Sequence, residues 1–155
     1  MDDSLSFPLP KSLDTRVHMR VIVKSKVLVV YLTTVSAEEA GNAVPMGSMV
    51  YALPDRFNPG TPLSTPIYKE EPTFDFATRF AKILVKKTQM HVYVSNSISL
   101  ASTGLGGTFE EEMEAFKKVI EVALGKLQHL FKPPNIWPNP TDLHRKRWLH
   151  DELHW

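Results

Sequence analysis

The sequence predicts an α+β domain in which an antiparallel β-sheet carries two main helices packed on one of its faces. Apolar and polar residues alternate along residues 17–23, the pattern of a half-buried strand. Residues 27–32 are apolar on both sides, which in an antiparallel sheet is typical of a central strand covered on both faces. Two further segments, one after Pro72 and one at 109–131, repeat apolar residues at helical spacing.

Three shorter strands complete the predicted sheet. They are expected at residues 49–53, 63–68 and 90–94. Pro66 cannot donate a ladder hydrogen bond, so the strand that contains it is predicted to lie at an edge of the sheet. The order of strands, helix, strand and helix favours the α+β class.

The starts of the two helices are predicted from their capping residues. Thr73 is the expected N-cap of the first helix. Thr108 and Glu111 have the spacing of a capping box at the start of the second. The apolar stripe of that second helix consists of Met113, Phe116, Ile120, Leu124 and Leu127.

The chain divides into three predicted parts. Residues 1–12 are polar and are expected to form a disordered lead, and residues 13–131 a single α+β domain. Residues 132–155 form a Pro-rich connector and an aromatic tail, which holds all three tryptophans, Trp137, Trp148 and Trp155. Such a tail is expected to dock either on its own domain or on a partner, because exposed indole rings are costly in water.

Composition excludes several classes of function. The 18 Lys and Arg residues nearly balance the 17 Asp and Glu residues, so no basic patch for nucleic acid is expected. The absence of cysteine excludes disulfides and thiolate chemistry. The longest apolar run, at 27–32, is too short to span a bilayer, and residues 1–10 lack the pattern of a secretory signal. A cytoplasmic or nuclear protein is expected.

One glycine-rich loop, 104–107, stands between a strand and a helix, where phosphate-binding loops occur. Phe109 occupies the position at which a dinucleotide fingerprint needs glycine, and no lysine precedes Thr108 as in a P-loop. Three carboxylates at 110–112 would also repel an anion from the helix start. A flexible connection is therefore favoured, and a nucleotide-binding enzyme is the weaker alternative.

The sequence shows no catalytic or metal-binding constellation that outweighs an ordinary structural interpretation. His150 and His154 are spaced to share a metal on one helical face, with His144 nearby, but surface histidines are favoured. Neither a nucleophile elbow nor a pair of carboxylates in an apolar setting is present. We expect no enzymatic activity, no catalytic residue, no cofactor and no metal.

Four segments, in this order and at this spacing, resemble the proteasome assembly chaperone four family. They are residues 62–65 (Pro-Leu-Ser-Thr), 79–82 (Arg-Phe-Ala-Lys), 87–95 (Lys-Thr-Gln-Met-His-Val-Tyr-Val-Ser) and 111–116 (Glu-Glu-Met-Glu-Ala-Phe). The resemblance implies a sheet with helices on one side and a heterodimer with a chaperone three type subunit, paired through the sheets. It also implies that the pair binds a proteasome α-type subunit and promotes α-ring assembly without enzymatic activity.

The strand at 27–32 independently predicts a partner, because helices on one face leave its other apolar side bare in a monomer. The aliphatic set Leu28, Val30 and Leu32 suits the helix-covered core. The alternate set, which ends in a tyrosine hydroxyl suited to an interface rim, is assigned to the partner and consists of Val27, Val29 and Tyr31. A homodimeric adaptor that pairs through the same sheet is the other hypothesis.

Overall fold

The structure is a computed structural model and describes residues 1–36, 45–58, 60–101 and 103–131. Its strands are β1 (Asp2–Pro8), β2 (Thr15–Val23), β3 (Val27–Ser36), β4 (Ser48–Leu53), β5 (Leu63–Tyr68) and β6 (His91–Ser97). Its helices are α1 (Glu71–Thr88) and α2 (Phe109–Leu127), the second followed by a 3₁₀ turn, Gln128–Leu130. The helix predicted for residues 109–131 therefore ends at Leu127, four residues earlier than expected. The predicted tail, 132–155, lies outside the described residues.

All six strands form one sheet in the order β1-β2-β3-β6-β4-β5. The α+β class is confirmed, but the sheet is mixed rather than antiparallel, because β3 and β6 run parallel. The chain between them contains the β4–β5 hairpin and α1, which is ample for the crossover that parallel strands require. The strand β5, with Pro66, lies at one edge as predicted.

The first strand corrects the expectation of a disordered lead at residues 1–12. β1 pairs with β2 along its whole length, from Asp2 opposite Ile22 to Pro8 opposite Arg16. Phe7 and the half-buried Leu5 point into the core, while Ser4 and Ser6 face the other side. The strand is mostly polar because it lies at the second edge of the sheet, where few of its side chains are covered.

The start of α1 also differs from the prediction. The helix begins at Glu71 with Glu70 as its N-cap and Pro72 in its first turn, so Thr73 is not the cap. The Thr73 hydroxyl instead lies 2.8 Å from that of Ser48 on β4, where it ties the helix to the sheet. The predicted capping box of α2 is confirmed: Glu111 N–H donates to the Thr108 hydroxyl, and the Glu111 carboxylate accepts from Thr108 N–H.

Both helices contribute to the one hydrophobic core. Phe80 and Leu84 of α1 are completely buried, and α1 packs on β4 and β6. The two helices meet where the rings of Phe76 and Phe116 contact edge to face, with 4.9 Å between centroids. Ion pairs hold α2 near the start of the chain; they join Lys126 to Asp3, and Glu114 to Lys11 at 3.5 Å.

The sheet separates a helix-covered face from an open face. Leu28, Val30 and Leu32 lie on the covered face and are at most 2% exposed. The open face is the side of the sheet to which Val27, Val29 and Tyr31 point, and neither α1 nor α2 covers it. The structure thus places the three predicted interface residues together on the side of the sheet that neither helix covers. Their contact with a partner stays a prediction.

Candidate partner-binding face

Four neighbouring strands bring apolar and aromatic side chains together on the open face. Because residues opposite each other in a sheet point to the same side, the register of β3 with β6 aligns Val27 with His91 and Val29 with Tyr93. The register of β6 with β4 then aligns Tyr93 with Tyr51. The remaining apolar members of this surface are Tyr31 on β3, Met49 and Leu53 on β4, and Leu63 and Tyr68 on β5.

An aromatic cluster lies in the middle of this surface. The rings of Tyr51 and Tyr93 stack with 4.7 Å between centroids and 25° between planes. The Tyr51 hydroxyl lies 2.5 Å from Nδ1 of His91, so these two atoms share a hydrogen bond. Stacking and hydrogen bonding restrict the rotamers of all three side chains before any partner arrives, which reduces the entropy lost on binding.

The outer members of the surface expose large apolar areas. Tyr31 is 42% exposed, Leu63 49% and Tyr68 52%. Removing apolar area from water contributes about 25 cal/mol per Å². Contiguous exposed apolar surface on a folded domain typically marks a site of protein interaction. This face is therefore the candidate functional site.

The open face changes character on β1 and β2. Arg20 donates two hydrogen bonds to the Asp2 carboxylate, at 3.1 and 2.8 Å, and this pairing lowers the pKa of Asp2 from its ordinary value. Arg16 donates to the Ser6 hydroxyl at 3.2 Å. His18 lies between the two arginines and is exposed. Charged side chains on this part of the sheet are thus satisfied within the chain or by water.

The glycine-rich loop at 104–107 holds a carboxylate of its own chain. Glu111 is 2% exposed, and its carboxylate accepts from the N–H groups of Leu105, Gly107 and Thr108 at 2.9, 2.9 and 3.1 Å. The Thr103 hydroxyl donates a fourth hydrogen bond at 2.8 Å. The backbone groups that would bind a phosphate are therefore already used, which removes the structural basis of the nucleotide-binding alternative.

Replacement of Glu111 by Gln is expected to lower the melting temperature at pH 7. Burial raises the pKa of Glu111, but the four hydrogen bonds outweigh it and lower the pKa to about 2. Because the folded pKa is depressed below the ordinary 4.5, the stabilisation is fully present above pH 4.5 and is lost as the pH falls towards 2. Thermal unfolding of the wild-type and Glu111→Gln proteins should show a difference in melting temperature that becomes smaller as the pH falls from 4.5 towards 2.

The matched control is Glu110→Gln, one residue earlier in the same helical turn. Glu110 is exposed, so its neutralisation removes only a screened interaction with the helix dipole. The melting temperature should change much less than in Glu111→Gln. Equal effects of the two substitutions at pH 7 would show that the buried carboxylate does not organise the loop.

The structure also bears on the predictions about metal binding and membranes. Within residues 1–36, 45–58, 60–101 and 103–131, no group of three or more histidine, aspartate or glutamate side chains could hold a metal ion. In the same part of the chain, neither helix is long and apolar enough to cross a membrane. His144, His150 and His154, like the tryptophans of the tail, lie outside the described residues.

The architecture is shared with a subunit of a known assembly complex. Eight chains of solved structures match. One comes from the crystal structure of a novel chaperone complex for yeast 20S proteasome assembly, with a TM-score of 0.56 and 13% sequence identity. The match covers 85% of this chain and 98% of that chain. At this identity the likeness concerns the fold, which is an α+β fold also used by a chaperone subunit.

The sequence gives the more specific assignment. The family model for proteasome assembly chaperone 4 matches residues 16–98, which is more than half of the chain. The protein belongs to the proteasome assembly chaperone 4 family, and the resemblance found in the sequence is confirmed. No curated protein matches the chain. The matched segment runs from the second residue of β2 to just beyond β6 and thus includes all the strands that carry the aromatic cluster.

Proposed function

We propose that the chain is a non-enzymatic assembly chaperone and forms one half of a heterodimer with a related small subunit of the chaperone three type. The pair binds a proteasome core α-type subunit in the cytoplasm or nucleus and promotes assembly of the α-ring. The observation that carries this proposal is the aromatic surface, covered by neither α1 nor α2, on the sheet of a proteasome assembly chaperone 4 family member.

The physical argument for a partner starts from β3. Its covered side chains are almost fully buried, whereas Tyr31 on the opposite side is 42% exposed and Val27 and Val29 are half-buried. A second sheet can cover such a surface and exclude water from it, as in the core of a β-sandwich. Val27, Val29 and Tyr31 are therefore proposed to contact the partner subunit.

The choice of a related subunit as partner has two supports. The family is one of proteasome assembly chaperones, and the yeast protein of similar fold was crystallised as a chaperone complex. A related subunit with the same architecture would offer an open sheet face of its own. The absence of enzymatic activity is proposed because the glycine-rich loop, the best candidate for a ligand site in sequence, is filled by Glu111.

The proposal is tested with purified chains. Native mass spectrometry of this chain alone and mixed with the related subunit should show a one-to-one heterodimer only in the mixture. Immobilised heterodimer should then retain one type of α subunit when each α-type subunit is offered separately. A stable homodimer that does not exchange with the related subunit would support the adaptor hypothesis and contradict the proposal.

A further inference from the structure

The open face consists of two chemically different halves. The aromatic half is carried by β3, β6, β4 and β5, and the polar half by β1 and β2. The aromatic half contains Val27, Val29, Tyr31, Met49, Tyr51, Leu53, Leu63, Tyr68, His91 and Tyr93. The polar half contains Asp2, Ser4, Ser6, Arg16, His18 and Arg20. Ile22 on β2 lies opposite Val29 and extends the aromatic half at one corner.

Burial of the polar half would bring little gain. Arg20 and Asp2 form an ion pair whose side chains are each about half exposed, and an exposed pair of this kind is well solvated. A covering sheet would have to desolvate this pair together with Arg16 and His18, and the cost of desolvation commonly exceeds the Coulombic gain. The polar half is therefore suited to remain in water.

Burial of the aromatic half should instead bring a net gain in free energy, because it desolvates few charged groups. Its two middle strands, β6 and β4, carry the stacked rings of Tyr93 and Tyr51. Residues that dominate binding energy are enriched in tyrosine and cluster near the geometric centre of an interface, where the surrounding contacts exclude water. Val29 on β3 lies opposite Tyr93, Met49 and Leu53 flank Tyr51 along β4, and Thr65 on β5 lies opposite Tyr51.

We propose that the partner subunit covers the aromatic half alone, with the Tyr51–Tyr93 stack at the centre of the interface, and leaves β1 and the Arg16–Arg20 part of β2 in solvent. This inference rests on the proposed function, because the occupant is the related subunit. It also defines the chemistry that the partner presents: an apolar sheet surface with one polar group opposite the Tyr51–His91 pair.

The polar group is required by the hydrogen bonding of His91. Its Nδ1 is bonded to the Tyr51 hydroxyl, and within the described residues its Nε2 has no hydrogen-bond partner. In the free chain His91 is exposed, so water can satisfy this nitrogen. Once a partner excludes that water, an unsatisfied ring nitrogen would be costly, and a side-chain or backbone group of the partner has to replace it.

The test uses the heterodimer without client. Tyr93→Ala should raise the dissociation constant by about 30-fold or more, the size expected of a central anchor. Arg16→Ala in the polar half should change it less than about 3-fold. Isothermal titration calorimetry measures both constants, and circular dichroism checks that each variant is folded.

Hydroxyl-radical footprinting of the wild-type chain tests the same inference without any variant, so its result does not depend on whether a variant folds. Formation of the heterodimer should protect Tyr31 and Tyr68, at the two sides of the aromatic half, and leave His18 as reactive as in the free chain. Equal protection of His18, or equal weakening by Arg16→Ala and Tyr93→Ala, would overturn the inference while the heterodimer itself still formed. If the two subunits do not pair at all, the proposed function fails instead.

Discussion

Val29→Asp is expected to abolish pairing with the related subunit and to leave a folded, soluble monomer. In the free chain Val29 is half-buried on the open face, so a carboxylate at this position can still reach water. In the heterodimer the same carboxylate would be unpaired in a surface that excludes water, which costs several kcal/mol or more. Native mass spectrometry should show separate subunits, while circular dichroism shows a normal fold.

The next residue of the same strand provides the matched control. Val30 is 0% exposed and lies on the helix-covered face, so Val30→Asp places the same charge inside the core. This variant should fail to fold, because Val30 lies within the hydrophobic core and an ionised carboxylate buried there is strongly unfavourable. If Val30→Asp folded but did not pair and Val29→Asp failed to fold, the two faces of β3 would be assigned the wrong way round. Normal pairing by Val29→Asp would show that the sheet is not the interface.

The periodicity of the sequence was sufficient to predict the central strands. Alternation along β2 and the doubly apolar segment of β3 correspond to side chains that the structure places alternately in the core and on the open face. Periodicity does not predict the order of the strands in the sheet or their directions. The β4–β5 hairpin and α1 lie between β3 and β6 in the chain, and tertiary packing decides that β6 returns to pair with β3 in the parallel direction.

The two segments that were predicted wrongly, residues 2–8 and the start of α1, differ from the prediction for local physical reasons. Residues 2–8 have only Leu5 and Phe7 as inward apolar side chains, too few to distinguish an edge strand from a polar lead. Thr73 looked like an N-cap, but the chain turns into α1 earlier because Pro72 fits the first helical turn. The Thr73 hydroxyl then serves a contact with Ser48 that only the folded sheet creates.

The candidate site was found only in part from the sequence. β3 was conspicuous because both of its sides are apolar, and it led to Val27, Val29 and Tyr31. Tyr51 and Tyr93 were missed as a pair, since they are 42 residues apart and only the register of β4 with β6 makes them neighbours. The available signal was weak: each tyrosine lies between two inward aliphatic residues, Val50 and Ala52 on β4 or Val92 and Val94 on β6.

The start of α2 shows the same division between local and tertiary information. The capping box was predicted because Thr108 and Glu111 are neighbours on one helical turn. Spacing alone does not predict that the Glu111 carboxylate also accepts from Leu105 and Gly107, since that needs the loop to fold back over the helix start. Gly106 and Gly107 permit this with positive φ values of 76° and 98°.

Phe116→Ala is expected to destabilise the chain by about 3–5 kcal/mol, the cost of removing a fully buried phenylalanine. Phe116 is 4% exposed, its ring meets that of Phe76 edge to face, and the Arg79 guanidinium lies 4.8 Å from its centroid. The substitution therefore leaves a cavity where α1 and α2 meet. Urea denaturation followed by circular dichroism should show an earlier midpoint with an unchanged slope.

Phe109→Ala is the matched control, because it removes the same side chain from the exposed start of the same helix. Phe109 is 73% exposed, so its loss creates no cavity and should change the stability by less than about 0.5 kcal/mol. The difference between the two variants then measures burial rather than helix propensity, since both replace phenylalanine by alanine within α2. A loss below about 1 kcal/mol in Phe116→Ala would mean that α2 is not packed against the core as the structure shows.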